Sequence, residues 1–413
     1  MNQATAHAAH IFLQLTLIIA ACRICGLAMR RIGQPPVIGE MVAGVLLGPS
    51  LLGAIAPDLA ASIFSESDKP ALFAIAQIGL TLYMFSVGLE FRTDLLKTNF
   101  RTAVSVSAAG IVTPFILGTA VALWLFEKEG FFTPNMTPAF AALFLGAAMS
   151  ITAFPMLARM IVEHRLTGTA AGTIALTAGS LDDAAAWILL AAVVGGISGN
   201  SILFALALGG GIAYAVVCGK VFRPMLAFMD RRLDDRTTLG MVALLLAAGA
   251  WFTDVIGLYS VFGAFIFGMT VPRGGLAEKT AERIGPLASA FLLPVFFTYS
   301  GLNTRIGLVD SPFLWAVTGV IILAAVGGKL GACYAAARFS GSSHSDSLTV
   351  ASLMNARGLM ELILLNIALQ AGLITPTLFT IMVIMAIVTT LMAAPGFNLA
   401  RKFSSKQSFR VAA

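Results

Sequence analysis

Long apolar stretches recur along the chain, each about the length of a membrane-crossing helix and each closed by a short polar break. A helix needs about 20 apolar residues to cross the hydrocarbon layer. Thirteen stretches read as spans: 11–29, 37–55, 71–90, 101–126, 138–161, 169–197, 201–227, 237–253, 255–271, 284–302, 312–337, 347–371 and 376–399. The pair 237–271 is the least regular. Asp254 sits either in a tight turn between two spans or inside one bent helix.

Composition sharpens this pattern. The 413 residues are 58% apolar and 11% charged, against roughly 45–50% and 25% in soluble proteins. Mean hydropathy is +0.91. The prediction is an all-α integral membrane protein, one transmembrane unit over 1–400 followed by a short basic tail at 401–413. The loops are too short for a soluble nucleotide fold. The net charge of +6 marks orientation here and does not read as nucleic-acid binding. Nearly all loop Lys and Arg fall on the face that holds the odd loops and the C-terminus. Only Lys69, Lys128 and Arg305 fall on the other. That bias predicts an outside N-terminus and a cytoplasmic C-terminus. The start MNQATAHAAH lacks a basic region, so a retained first helix is expected rather than a cleaved signal. Cys22 and Cys25 form a C-x-x-C inside an apolar run and read as packing residues. The three glycines at 209–211 read as close helix packing.

Ionisable groups at bilayer depth are costly and point to function. Arg23, Glu40, Asp182, Asp183, Asp254, Lys329, Arg357 and Glu361 qualify. Asp182 and Asp183 give the sharpest signal, near the middle of the sixth span. Neighbours on a helix diverge by about 100°, so the two carboxylates face different surroundings. One can take a fixed partner while the other faces a watery cavity. A carboxyl group poised between protonated and charged forms binds a proton or a small cation in competition. The bland alternative is that both are structural ion pairs. Lys329 lies too deep in the eleventh span to reach the interface and needs a carboxylate, for which Asp182 is the preferred partner. That pair either titrates during transport or only braces the helices. Glu40 reads as reaching the cytoplasmic interface, and Arg23 and Asp254 as interfacial or intra-bundle pairs.

Two spans look interrupted. Pro155 lies deep in the fifth, where it removes a backbone hydrogen bond and disfavours helix just before it. The hydroxyls of Ser150 and Thr152 sit at that break, which is otherwise a simple kink. The twelfth span carries Asn355, Arg357, Gly358 and Glu361 together. Arg357 and Glu361 read as cavity-lining groups or as a local i,i+4 salt bridge. Broken helices at bilayer depth are tolerated where they line a cavity, and their ends hold ions. Taken as halves joined by span seven, spans 1–6 and 8–13 form inverted repeats, each broken in its fifth helix.

The chain resembles the NapA/Kef/CHX-type monovalent cation:proton antiporters. The likeness rests on QPPVIGEMVAGVLLGPSLLG at 34–53, SITAFPMLARM at 150–160, the pair Asp182–Asp183 before Trp187, FLLPVFFTYSGL at 291–302 and NARGLMELILLN at 355–366, in family order. It implies a homodimer in the lipid bilayer, with a core part (100–198 and 311–400) moving elevator-like against a dimerisation part (1–95 and 200–303). By the same resemblance Asp183 is the ion-binding, proton-exchanging carboxylate, Asp182 is the partner of Lys329, and Thr152 is a polar ligand; Asp183, Asp182, Thr152 and Ser150 together make the expected ion-binding set. The Asp-Asp pair is associated with electrogenic sodium exchange, and the 355–366 stretch with potassium exchange. The nucleotide-binding domain of Kef systems, and gating through it, are expected to be absent.

The leading expectation is therefore Na⁺/H⁺ exchange by alternating access, in the cytoplasmic (inner) cell membrane, with a part in pH homeostasis. K⁺/H⁺ exchange is the alternative. No cofactor and no enzymatic reaction are expected. An intramembrane aspartyl protease needs carboxylates converging from separate helices, which adjacent aspartates do not supply. A channel or a sodium:solute symporter remains a rival, distinguished by conduction rate and by solute uptake.

Overall fold

The computed structural model describes residues 3–90, 100–197 and 201–411. Arg92 and Lys97, counted in the charge bias, lie outside them. The helices run α1 Gln3–Arg31, α2 Pro36–Leu47, α3 Leu52–Ile55, α4 Pro57–Ile63, α5 Lys69–Glu90, α6 Phe100–Phe126, α7 Pro138–Ser150, α8 Phe154–Glu163, α9 Ala170–Ile197 and α10 Ser201–Val217. They continue with α11 Arg223–Arg232, α12 Asp235–Val255, α13 Ser260–Thr270, α14 Gly275–Leu287, α15 Leu293–Leu302, α16 Pro312–Val326, α17 Ala332–Phe339, α18 His344–Met354, α19 Leu359–Gln370 and α20 Pro376–Val411. π-helical turns at Cys218–Phe222, Ala288–Leu292 and Gly327–Gly331 join helices end to end. Among the described residues the only β pairing is the isolated bridge Phe132–Ile374.

Among the described residues, ten helical segments are long and apolar enough to cross a membrane, and three shorter apolar helices accompany them. The expected thirteen full-length spans are therefore not all continuous. The fifth and twelfth are each split in two, and α13 has only 11 residues. The helix α20 continues past the thirteenth expected span, through the basic tail, to Val411. At Asp254 the structure takes the tight turn. Gly257 and Tyr259 adopt φ of +80° and +71°, and the Asp254 carboxylate accepts from the Ser260 N–H at 3.3 Å.

The chain divides into two compact units. The first comprises Met1–Cys22, Leu52–Arg92 and Ala191–Tyr299. Its core stacks Phe85 on Phe267 at 5.6 Å. Gly88 and Gly268 bring α5 and α13 together, since a Cβ on either meets the opposing backbone. Small residues permit such approach where lipid offers no hydrophobic drive between helices. Gly210 and Gly211 likewise face Ile256 and Leu258, as close packing predicts. At one end of this unit Asp68 is buried. It accepts from Gln14 and Ser65, each at 2.8 Å. His10 Nδ1 also lies 2.8 Å from it, while His10 Nε2 is 2.9 Å from the Ser62 carbonyl. Burial opposes the charge of Asp68, yet hydrogen bonds from Ser65, His10 and Gln14 hold its carboxyl below the usual carboxylate range.

The second unit comprises Arg23–Leu51, Thr93–Leu190 and Ser300–Ala413. Thr137, Ser311 and Ser343 cap α7, α16 and α18 through side-chain oxygens, satisfying first-turn N–H groups that would otherwise be orphaned. The Thr133 N–H donates to the Leu373 carbonyl at 3.1 Å, and the Thr375 N–H to that of Phe131 at 3.0 Å. These bonds tie the start of α7 to the end of α19. The two interrupted helices therefore run antiparallel, with α7 beside α19 at one end of the crossing.

Candidate ion-binding site

The fifth apolar stretch stops being helix where its sequence predicts. α7 ends at Ser150, and Ile151 is extended at φ −66° and ψ 133°. α8 then begins at Phe154 with Pro155 second. A proline there costs no helical hydrogen bond. The side chain of Pro155 lies outside the described residues. The twelfth stretch breaks between Met354 and Leu359. Gly358 turns the chain at φ +144°, a conformation open to glycine. The breaks are bonded to each other, because the Ala153 N–H donates to the Ala356 carbonyl at 3.0 Å. The carbonyl ends of α7 and α18 therefore meet at the crossing. Helix C-termini carry partial negative charge and favour a cation beside them.

That cation is Lys329, fully buried. Its ammonium donates to Asp182 Oδ2 at 2.8 Å and to the carbonyl of Ser150. The lysine lies in the π-helical turn Gly327–Gly331, a feature frequent at functional sites. Gly110 of α6 makes room for it. A Cβ there meets Cys333 Sγ at 2.7 Å and comes within 3.7 Å of the Lys329 ammonium.

Asp182 is held from three sides. Besides Lys329, Thr152 donates to Oδ2 at 2.6 Å and Ser107 to Oδ1 at 2.7 Å. The Thr152 hydroxyl also lies 3.3 Å from the Met354 carbonyl. A buried ion pair is tolerable when further hydrogen bonds satisfy its remaining atoms, and here they do. Asp183 is the opposite case. It is 0% exposed, and neither carboxyl oxygen makes a hydrogen bond among the described residues. The Trp187 indole, four residues on, and the adjacent Asp182 both act on its charge.

The remaining expected residues sit at the second break. Asn355 donates to the Thr389 carbonyl at 3.2 Å. The Arg357 guanidinium reaches the carbonyls of Ala148 and Ala325 at 3.3 and 3.4 Å, tying this break to α7 and α16. Its backbone N–H and carbonyl both bond the Thr390 hydroxyl. Glu361 is fully buried, and among the described residues both its oxygens lack a hydrogen-bond partner. The local Arg357–Glu361 salt bridge read from the spacing is not formed, since Arg357 Nε and both Glu361 oxygens are unbonded. Ser150 enters the site differently from its expected part. Its hydroxyl turns back to the Gly146 and Ile111 carbonyls, and its own carbonyl meets the lysine.

Sequence reasoning missed Ser107. The signal was present as a stripe of small residues on α6, where Ala103, Ser107, Gly110, Pro114 and Gly118 are all buried.

Interrupted helices that meet around buried ionisable groups define the class of secondary ion transporters. The family described as sodium/hydrogen exchanger, transmembrane, matches residues 16–398, and the chain belongs to that family. It is 39% identical over 393 residues to the Na(+)/H(+) antiporter NhaS4 of Synechocystis sp., covering 93% of this chain and 95% of that protein. It is 35% identical over 403 residues to Cation/H(+) antiporter 20 of Arabidopsis thaliana, covering 93% of this chain. Against that plant relative the chain spans only 48% of the length. The fold is similar to that of the sodium proton antiporter MjNhaP1 from Methanocaldococcus jannaschii, with a TM-score of 0.65 at 19% identity, over 95% of this chain and 99% of that one.

Proposed function

We propose that this protein exchanges a monovalent cation for protons across the membrane it spans, with Na⁺ as the cation. The observation carrying this reading is the asymmetry of two adjacent buried carboxylates. Among the described residues Asp182 has three donors, while neither Asp183 oxygen makes a hydrogen bond. A carboxylate already satisfied gains little from a new partner. A dehydrated one without donors gains from a proton or from a metal ion, and one excludes the other. Asp183 thus alternates between the two. The Asp182–Lys329 pair stands beside it as a fixed, neutral support, and Thr152 lines the first break. The family membership and the identity to NhaS4 support the same exchange.

Potassium in place of sodium is the second reading. Its support is the stretch 355–366, which resembles the CHX branch. The transported ions leave chemically unchanged, so the protein acts as a carrier and not as an enzyme. In this reading it works as a homodimer in the cytoplasmic membrane, with its N-terminus outside. A core part, 100–198 and 311–400, moves elevator-like against a dimerisation part, 1–95 and 200–303. Proteoliposomes loaded with a pH-sensitive dye test the exchange. Pulses of Na⁺ or K⁺ are expected to move protons in the opposite direction, and Asp183→Asn to abolish that movement. Cation uptake without proton movement contradicts it.

A further inference from the structure

We propose that Ser107 is a positioning residue that withholds Asp182 from the transported cation. The inference rests on the exchange reading above and assigns a part to a residue on a different helix from either aspartate. Asp182 Oδ2 is shared by Lys329 and Thr152, whereas among the described residues Oδ1 accepts from Ser107 alone. Ser107 is buried on the small-residue stripe of α6, one turn before the glycine that admits the lysine. Among the described residues its hydroxyl donates to Asp182, so its proton is committed there.

The consequence follows from dehydration. A buried carboxylate oxygen stripped of its donor keeps the full cost of lost hydration until something replaces the bond. Asp183 stands next to it with two oxygens that also lack donors. A cation arriving there would meet oxygens from two carboxylates rather than one. It would bind more tightly and leave more slowly. Ser107 prevents this by occupying Oδ1. Affinity stays low enough for release, and Asp183 alone answers for the cargo. Thr152 cannot substitute, because it bonds the other oxygen. Lys329, the charged group against Asp182, is already engaged with it, and Arg357 at the second break is held by backbone carbonyls.

The test compares reconstituted wild type with Ser107→Ala, Ser107→Cys and Ser107→Thr, using whichever of Na⁺ and K⁺ drives exchange. Ser107→Ala is expected to lower the KM for the cation about tenfold, or about 1.4 kcal/mol, and to lower the maximal rate with it. A purely structural defect lowers the rate without tightening KM. Ser107→Thr keeps the hydroxyl and is expected to retain wild-type values. Ser107→Cys, close in size but a weak donor, is expected to fall between them. It carries the test if the alanine variant does not fold. An unchanged or raised KM in the folded alanine or cysteine variant overturns the assignment. Asp183→Asn separates the two failures. If that variant still exchanges ions, the part given to Asp183 fails, and if the wild type takes up cation without moving protons, the exchange reading fails. If Asp183→Asn is inactive while KM in the Ser107 variants stays put, only the part given to Ser107 fails.

Discussion

Asp182 and Asp183 share a helix turn and almost nothing else. Among the described residues three donors bond the first and none bonds the second, although both are buried. The bonding explains why Lys329 can sit in the dry interior at all. Removing it leaves the Asp182 charge uncompensated, a loss of about 3–5 kcal/mol for a buried pair. Lys329→Ala is therefore expected to unfold at a markedly lower temperature in detergent than wild type, and an unchanged Tm contradicts a stabilising pair. Asp68 offers a residue-scale pH test away from the crossing. Its carboxyl is held below the ordinary range, so the stability it contributes is present above the ordinary carboxylate pKa of about 3.9. It is lost as pH falls through the lower folded value. Asp68→Asn is expected to melt below wild type through mild acid, with the gap closing below about pH 4. A gap that persists there contradicts the assignment.

Among elements, the two interruptions decide the chemistry. Gly358 turns the second at φ +144°, where a side chain costs about 1–3 kcal/mol. Gly358→Ala is expected to slow exchange and to lower Tm, with Arg357 displaced from the Ala148 and Ala325 carbonyls. Wild-type exchange in that variant would show that the turn is dispensable. Both interruptions were legible in the sequence, since proline and clustered polar residues cannot continue an apolar helix. So was the Asp182–Lys329 pair, because a deep lysine needs a carboxylate. Three features were not legible. A serine hydroxyl in a helix bonds the carbonyl one turn back by default, as Ser150 does, so nothing in its identity showed that its carbonyl would face the lysine. Ser107 lay on an unremarked stripe of small residues, and its role depends on which helix packs against it. The Arg357–Glu361 spacing suits a salt bridge, but the guanidinium goes to backbone carbonyls that only the tertiary fold supplies.

Across the whole molecule, apolar content and charge bias sufficed to predict a helical membrane protein, while the continuity of each span depended on local breaks. The proposed dimer is tested by native mass spectrometry in mild detergent, where a mass of twice 43.1 kDa is expected and a lone monomer contradicts it. The exchange itself depends on one carboxyl group that holds either a proton or a cation. The most direct measurement follows internal pH in proteoliposomes after a cation pulse, for wild type beside Asp183→Asn. Wild type is expected to move protons against the pulse, and the variant to give no signal while still folded. Equal proton movement in the two would contradict the central claim.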